Sequence, residues 1–217
     1  MAKIKVAIQT KSDSDVITEF QTKHHALISF GDINEIIAQK TELNLERSTY
    51  RAKQIASSQQ LLSSTLKKPI SINRTIEGRP SLINELGFIS ISHCQDNIAT
   101  IFHISNPVAI DIENRNRNID RIVSKFTTQE ELDRAKRYLP LNPAIFIWSC
   151  KECLFKILGV SGVHFKEQLL LKSIDSGETI TSKWHVNHPE ISGVFKISTK
   201  FFDETLCSFI DSRFTDE

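Results

Sequence analysis

The residues able to do chemistry fall in two clusters. Asp111-Ile112-Glu113 closes the apolar run Val108-Ala109-Ile110. A strand's two-residue period aims both carboxylates to one side and turns Ile112 the other way, into a core. Two acids on one face repel, and a cation between them removes the repulsion. Hard oxygen ligands favour Mg²⁺ or a similar divalent ion, which keeps waters and substrate phosphates in its shell. For this tripeptide alone, a solvated strand end is the plain alternative. The second cluster is Trp148-Ser149-Cys150-Lys151-Glu152-Cys153-Leu154-Phe155-Lys156. A helix brings residues 148, 152 and 156 onto one face at successive i, i+4 steps, making Glu152 and Lys156 neighbours. An intrahelical ion pair, worth about 0.3 kcal/mol, would be the plain reading. Phe146, Trp148, Phe155 and Leu158 make this helix too apolar for a surface display of charge, so its charged face is expected to line a cleft.

These clusters need elements to position them. The acidic strand belongs to a β-rich stretch with runs at Phe88 to Ser92, Ile98 to Ile104 and Val108 to Ile112, preceded by a turn at Gly78-Arg79-Pro80. A short strand is expected at Ile4 to Ile8, and a long helix from about Asn44 to Leu66 with an apolar stripe at Leu45, Ile55, Leu61, Leu62 and Leu66. Thr127-Thr128-Gln129-Glu130-Glu131 contains two overlapping capping boxes and opens a helical block. Asn142-Pro143 supplies an N-cap followed by proline at the first helical position, and Gly159 the stop, of the helix carrying Glu152. Strands are expected after it at 168–173, 179–186, 193–199 and 206–210. Helices followed by strands thus occur twice. Tyr50-Arg51-Ala52-Lys53-Gln54 also echoes Trp148-Ser149-Cys150-Lys151-Glu152, which suggests an internal duplication, although chance similarity of two amphipathic helices explains the echo equally well.

A chain of 217 residues accommodates one large domain or two small ones. Hydrophobic residues at 40% and charged residues at 24% argue against wholesale disorder, collagen and coiled-coil rods. A net charge of +1 supplies no global field for nucleic acid or an anionic membrane. The longest run without Asp, Glu, Lys or Arg, Asn97 to Ile110, is 14 residues, below the roughly 20 of a membrane-spanning helix. With no export signal in Met1 to Lys11, a soluble cytoplasmic protein is expected. Four irregularly spaced cysteines make no disulfide framework, and Cys150-x-x-Cys153 within a helix, lacking a second pair, makes no zinc site. The Arg115, Arg117 and Arg121 cluster reads as a solvated face, or as an electrostatic guide for an acidic partner. His24-His25 reads as solvent-facing.

Gly78-Arg79-Pro80, Ser90-Ile91-Ser92-His93, Ile110-Asp111-Ile112-Glu113, Phe126-x-x-x-Glu130 and Trp148-x-x-Lys151-Glu152-x-x-x-Lys156 follow one another in a fixed order. This ordered set resembles the 4′-phosphopantetheinyl transferases, specifically the pseudodimeric subfamily that activates surfactin synthetase and similar assembly lines. The motifs span about residues 78 to 159. The resemblance implies an α+β fold of two similar lobes related by pseudo-two-fold symmetry, each with a small antiparallel sheet packed on helices. Residues 1–106 would form the N-terminal lobe and 107–217 the lobe carrying the metal, with coenzyme A and Mg²⁺ (or Mn²⁺) held between them.

The activity implied is transfer of the 4′-phosphopantetheine group from coenzyme A to a serine of an apo acyl or peptidyl carrier protein, releasing adenosine 3′,5′-bisphosphate. By the same resemblance Asp111, Glu113 and Glu152 are the metal ligands. Lys156 contacts phosphate, and Lys151 is a weaker phosphate or carrier contact. Arg79, Ser92 and His93 contact coenzyme A, and Glu130 activates the serine hydroxyl; its capping-box position is the plain alternative. No nucleic acid or membrane partner is implied, and two fused lobes make a monomer sufficient. Two departures stand out: Cys94 follows Ser92-His93 where the motif often has serine, and Gln59 stands where many relatives place an arginine for the coenzyme A 3′-phosphate. Arg51, Lys53 and Arg47 are candidates to compensate. Two alternatives stay open: a non-catalytic module that binds coenzyme A or carrier, and a metal-dependent phosphohydrolase using the same acids.

Overall fold

Apolar residues at alternate positions, broken by short polar turns, produce antiparallel sheets, and the capped apolar segments between them produce the helices that cover those sheets. The computed structural model describes residues 17–38, 49–75, 78–84, 86–139, 142–177 and 179–212. The chain divides into two units, Met1–Val108 and Ala109–Glu217.

In the first unit, β1 (Ile17–Gln21) and β2 (Leu27–Asp32) form a hairpin, followed by α1 (Ile33–Ala38) and α2 (Tyr50–Leu66). A small hairpin of β3 (Ile72–Arg74) and β4 (Pro80–Leu82) precedes β5 (Phe88–Cys94) and β6 (Asn97–His103). The main sheet has the order β1-β2-β6-β5, antiparallel throughout. Thr49 caps α2, its hydroxyl accepting the amide of Ala52 at 3.3 Å. Leu61 of α2 packs in one core with Ile33, Ile36 and Ile98, and Leu62 in another with Ile70 and Ile89. The strand expected at Ile4 to Ile8, the expected helix start near Asn44, and Arg47 lie outside the described residues.

In the second unit, β7 (Ala109–Asn114) leads to α3 (Asp120–Phe126), α4 (Gln129–Lys136), α5 (Pro143–Leu158) and the short α6 (Phe165–Gln168). Four strands follow: β8 (Leu169–Asp175), β9 (Ile180–Asn187), β10 (Ser192–Phe202) and β11 (Thr205–Ile210). Their sheet has the order β7-β11-β10-β9-β8, all antiparallel, so the strand that begins the unit pairs with the strand that ends it. The Asn142 side chain accepts the Ile145 amide at 3.3 Å, Pro143 opens α5, and Gly159 ends it in the left-handed region at φ 61°. Both ends agree with the sequence signals, because Asn and Gly are the residues these two cap geometries favour. Phe146, Cys150, Leu154 and Leu158 of α5 enter one core with Trp184, Phe195 and Ile197 of the sheet. Helix α3, which has no side-chain cap, and the hairpin β1–β2 lack a strong sequence signal and were not expected.

One of the two expected capping boxes forms. Thr128 accepts the Glu131 amide at 3.2 Å, while the Glu131 carboxylate takes the Thr128 amide at 3.3 Å. Thr127 instead turns its hydroxyl to the Glu131 carboxylate at 2.8 Å, so Glu130 is not a capping residue.

Candidate functional site

β7 and α5 bring the acidic residues together. Among the described residues β7 is bonded on one side only, to β11, with Asp111 opposite Ser208 and Glu113 opposite Leu206. Asp111 and Glu113 share a face by strand periodicity, and both are buried, at 5% and 7% exposure. α5 is fixed over the neighbouring strand by the Cys153 thiol, which donates to the Ser208 carbonyl at 3.0 Å. From this helix the Trp148 indole N–H donates to Glu113 Oε1 at 2.9 Å. Two turns later Lys156 Nζ donates to Asp111 Oδ1 and to the Ile110 carbonyl, each at 2.8 Å. Trp148 meets the later strand residue and Lys156 the earlier one, so α5 runs against the direction of β7. Glu152 lies midway between Trp148 and Lys156 on the same helix face and comes opposite the interval between the two acids.

The electrostatics agree with that placement. Burial, then the nearby Asp111 and Glu113 carboxylates, push the Glu152 carboxyl up to about 7 against the opposing pull of Lys156 and Arg117. Burial also raises Glu113, with Asp111 adding to it, while the hydrogen bond from Arg117 offsets part of the rise. Burial by itself would lower Lys156, but the adjacent Asp111 and Cys153 outweigh it and the ammonium stays above its ordinary value. Glu152 accepts no hydrogen bond and makes no ion pair among the described residues. Each of the other two acids holds a protein cation. Arg117 Nη1 lies 2.7 and 2.9 Å from the two Glu113 oxygens, and Lys156 pairs with Asp111.

The donor chemistry fits Mg²⁺. Three carboxylates offer hard oxygens, and a divalent cation would relieve the repulsion from Asp111 and Glu113 that adds to burial in raising Glu152. Among the described residues the side chains do not form a ready-made group of three metal-binding acids. The arrangement is an acidic cluster partly neutralised by the chain's own Lys156 and Arg117.

The other expected site residues are held by contacts of their own. Lys151, expected as a phosphate or carrier contact, is fully buried. Its ammonium donates to the Phe126 carbonyl at 2.8 Å, Glu131 Oε2 at 2.9 Å and the Phe165 carbonyl at 3.0 Å. Burial pulls this ammonium below its ordinary value and Glu131 opposes the pull. With three protons donated there is none left for an external anion, so this expectation is corrected: Lys151 is a structural cation tying α5 to α4. Glu131 completes that tie by accepting the Leu171 amide at 2.9 Å. Glu130 is on the outer face of α4, 81% exposed and paired with Arg134 at 2.7 Å.

In the first unit, His93 on β5 faces α2, its Nε2 being 3.4 Å from Ser58 Oγ. Ser92 is buried beside it on β5, and Arg51 is exposed in the first turn of α2. Arg79 follows Gly78, whose φ of 83° suits glycine, and its own amide donates to Thr75 Oγ1 at 3.2 Å. Cys94 ends β5 half-buried, and the Gln59 carbonyl accepts the Ser63 hydroxyl at 2.6 Å.

Sequence reasoning missed Arg117 as the partner of Glu113 and Glu131 as the partner of Lys151. The arginine cluster is correspondingly not a bare solvated face, since Arg117 holds Glu113 and Arg115 pairs with Glu204 at 3.7 Å. The only signal was spacing. Arg117 is four residues from Glu113, but in a strand and turn rather than a helix, where that spacing has no fixed meaning.

Residues 107–207, just under half of the chain, match the family model described as the 4′-phosphopantetheinyl transferase superfamily. The match covers β7, α5 and with them all three acids and Lys156. No curated protein matches the chain. No helix among the described residues is long and apolar enough to cross a membrane.

Proposed function

We propose that this chain transfers the 4′-phosphopantetheine group of coenzyme A to a serine of an apo acyl or peptidyl carrier protein. The observation that carries the reading is Lys156 seated on Asp111, with Glu152 within the electrostatic reach of Asp111 and Glu113, all in the segment that matches the transferase superfamily. A match to that superfamily points to phosphopantetheine transfer in general, with coenzyme A as the donor and a divalent metal. The carrier and the metal are the finer part of the proposal.

Asp111, Glu113 and Glu152 would hold Mg²⁺ or Mn²⁺, which when bound neutralises diphosphate charge and polarises the phosphorus under attack. The chain's own residues do the rest. Lys156 holds a fixed ammonium at Asp111, and a cation so placed can stabilise the negative charge that develops on a departing phosphate oxygen. Trp148 fixes the orientation of Glu113, and its ring stacks edge-on against Phe126 at 5.0 Å. We assign the serine proton to Glu130, whose carboxylate is 81% exposed and therefore reachable by a docked carrier, directly or through water. The serine Oγ bonds to phosphorus as the bond to the bridging oxygen breaks, and the bisphosphate leaves with that oxygen. Arg51, Arg79, Ser92 and His93 keep the coenzyme A contacts the resemblance gives them as part of this proposal.

The pseudodimeric organisation belongs to the proposal as well. Two features support a duplication. In each unit the strand preceding the long helix pairs antiparallel with the unit's last strand, β2 with β6 and β7 with β11. The long helices are also of similar length, 17 residues in α2 and 16 in α5. The five-residue echo contributes less, because Tyr50 opens its helix whereas Trp148 lies in the second turn, and Lys53 is only half-buried where Lys151 is fully buried.

The test is direct. The protein incubated with coenzyme A, Mg²⁺ and a panel of apo carriers is expected to add about 340 Da to at least one, the mass of the phosphopantetheinyl group. No gain on any carrier, together with no binding of coenzyme A, refutes the transfer.

A further inference from the structure

Glu113 does not wait with open oxygens. A carboxylate offers about four lone-pair sites, and the Trp148 indole takes one on Oε1. Arg117 engages both oxygens through a single nitrogen, Nη1, at 2.7 and 2.9 Å. That is not the side-by-side fork of a guanidinium on a carboxylate, in which two nitrogens each take one oxygen. One nitrogen centred between two oxygens stands where a chelated cation stands.

The two protein cations at the acidic cluster also differ in how firmly they are held. Lys156 Nζ is shared between Asp111 and the Ile110 carbonyl, and its side chain is 27% exposed. Arg117 is 48% exposed and lies in the turn after β7, where its amide donates to the Asn114 carbonyl at 3.0 Å. The turn backbone is therefore fixed, and a movement of the Arg117 side chain, without one of the backbone, uncovers Glu113. With the guanidinium this open to solvent the pair is screened on one side, which lets a divalent ion compete for the carboxylate.

We propose that Arg117 is a displaceable stand-in for the metal: its guanidinium occupies the chelating position on Glu113 and must leave before a divalent ion engages both oxygens of that carboxylate. Arg117 thereby sets the metal affinity of the site and keeps Glu113 neutralised when no metal is bound. This inference rests on the metal ligands named under the proposed function.

The experiment measures Mn²⁺ binding by the full chain, from the electron paramagnetic resonance of the free ion, in the absence of coenzyme A and carrier. Arg117→Gln is expected to bind Mn²⁺ roughly fivefold more tightly than the unsubstituted protein, about 1 kcal/mol. Arg121→Gln, which removes the same charge from the exposed face of α3, is expected to stay within about twofold. Circular dichroism verifies that both variants fold. Unchanged or weaker binding by Arg117→Gln, with Mn²⁺ still bound by the unsubstituted protein, overturns the inference and leaves the transfer reading standing. Equal tightening in both variants also overturns it, because loss of charge alone would then explain the gain. No Mn²⁺ binding by any of the three overturns the inference together with the metal-ligand assignment, while the mass gain on carriers judges transfer separately.

Discussion

Replacing Glu152 by glutamine tests whether three acids crowd one another in this fold. Glutamine keeps the shape of the side chain and removes its charge. The Glu152 carboxyl is raised from 4.5 to about 7 by burial and by Asp111 and Glu113. At 1.36 kcal/mol per pKa unit this corresponds to about 3 kcal/mol of destabilisation once the group is forced to ionise. Solvent still reaches this side chain, and halving the figure for screening leaves about 1.5 kcal/mol. The sign follows from linkage. The native state binds more protons than the unfolded state between pH 4.5 and about 7, so stability contributed by the protonated group is lost as pH rises across that window. In metal-free buffer, Glu152→Gln should therefore match the unsubstituted protein near pH 4.5 and exceed it above pH 7. The gain there amounts to a thermal midpoint higher by roughly 3 to 6 °C. Millimolar Mg²⁺ should then raise the unsubstituted protein more than the variant, because the ion relieves the same repulsion. A variant no more stable than the parent at about pH 8 without metal would show that the three carboxylates do not share one field.

Four further outcomes follow from contacts already described. Trp148→Phe keeps the aromatic stack but loses the donor to Glu113, and should cost about 1 to 2 kcal/mol in urea unfolding; an unchanged midpoint would deny that bond any role. Lys151→Met leaves the Glu131 carboxylate buried without its cation and should cost about 3 to 5 kcal/mol by the same measurement, with a loss below 1 kcal/mol contradicting the structural reading. Glu130→Ala should change stability by no more than about 0.5 kcal/mol, yet slow carrier modification about a hundredfold if it takes the serine proton; equal rates would reassign that proton. Of the four thiols only half-buried Cys94 should react with a disulfide reagent in the native protein, since burial pushes Cys150 up to about 12 and raises Cys153 and Cys207 as well. Rapid labelling of a second cysteine would mean that α5 opens from its sheet.

The parts of this fold that could be read in the sequence are those decided locally. Asn142, Pro143 and Gly159 bound α5 because each relieves a backbone demand at its own position, whatever the helix packs against. The strands of the second unit are legible for a similar reason, since a run such as Leu206 to Ile210 has little alternative to burial. The hairpin β1–β2 is not legible, because Ile17–Gln21 is a half-exposed edge strand with one apolar residue at each end of ITEF. Its strand character comes from pairing with β2, a contact that leaves no mark in its own composition.

The same division explains why the faces that carry the three acids are legible in the sequence and the ion pairs they make are not. Asp111, Glu113 and Glu152 are placed by the periods of a strand and a helix, and periodicity survives in sequence. What neutralises them depends on rotation about one helix axis and on one turn. Lys151 and Lys156 are five residues apart on α5, which separates them by about 140° around the helix. That angle sends Lys151 inward, to Glu131 of α4, and Lys156 to the strand edge, to Asp111. The charge and spacing of the two lysines look interchangeable in the chain. Packing of α5 against both α4 and β7 makes one a buried strut and the other the cation of the acidic cluster. The turn at Asn114 to Arg117 does the equivalent for arginine. With its backbone closed by the bond from the Arg117 amide to the Asn114 carbonyl, the Arg117 side chain is returned toward Glu113. A function read from carboxylates alone therefore leaves out the cations that neutralise them, and the pairing of Arg117 with Glu113 is the part that only the fold reveals.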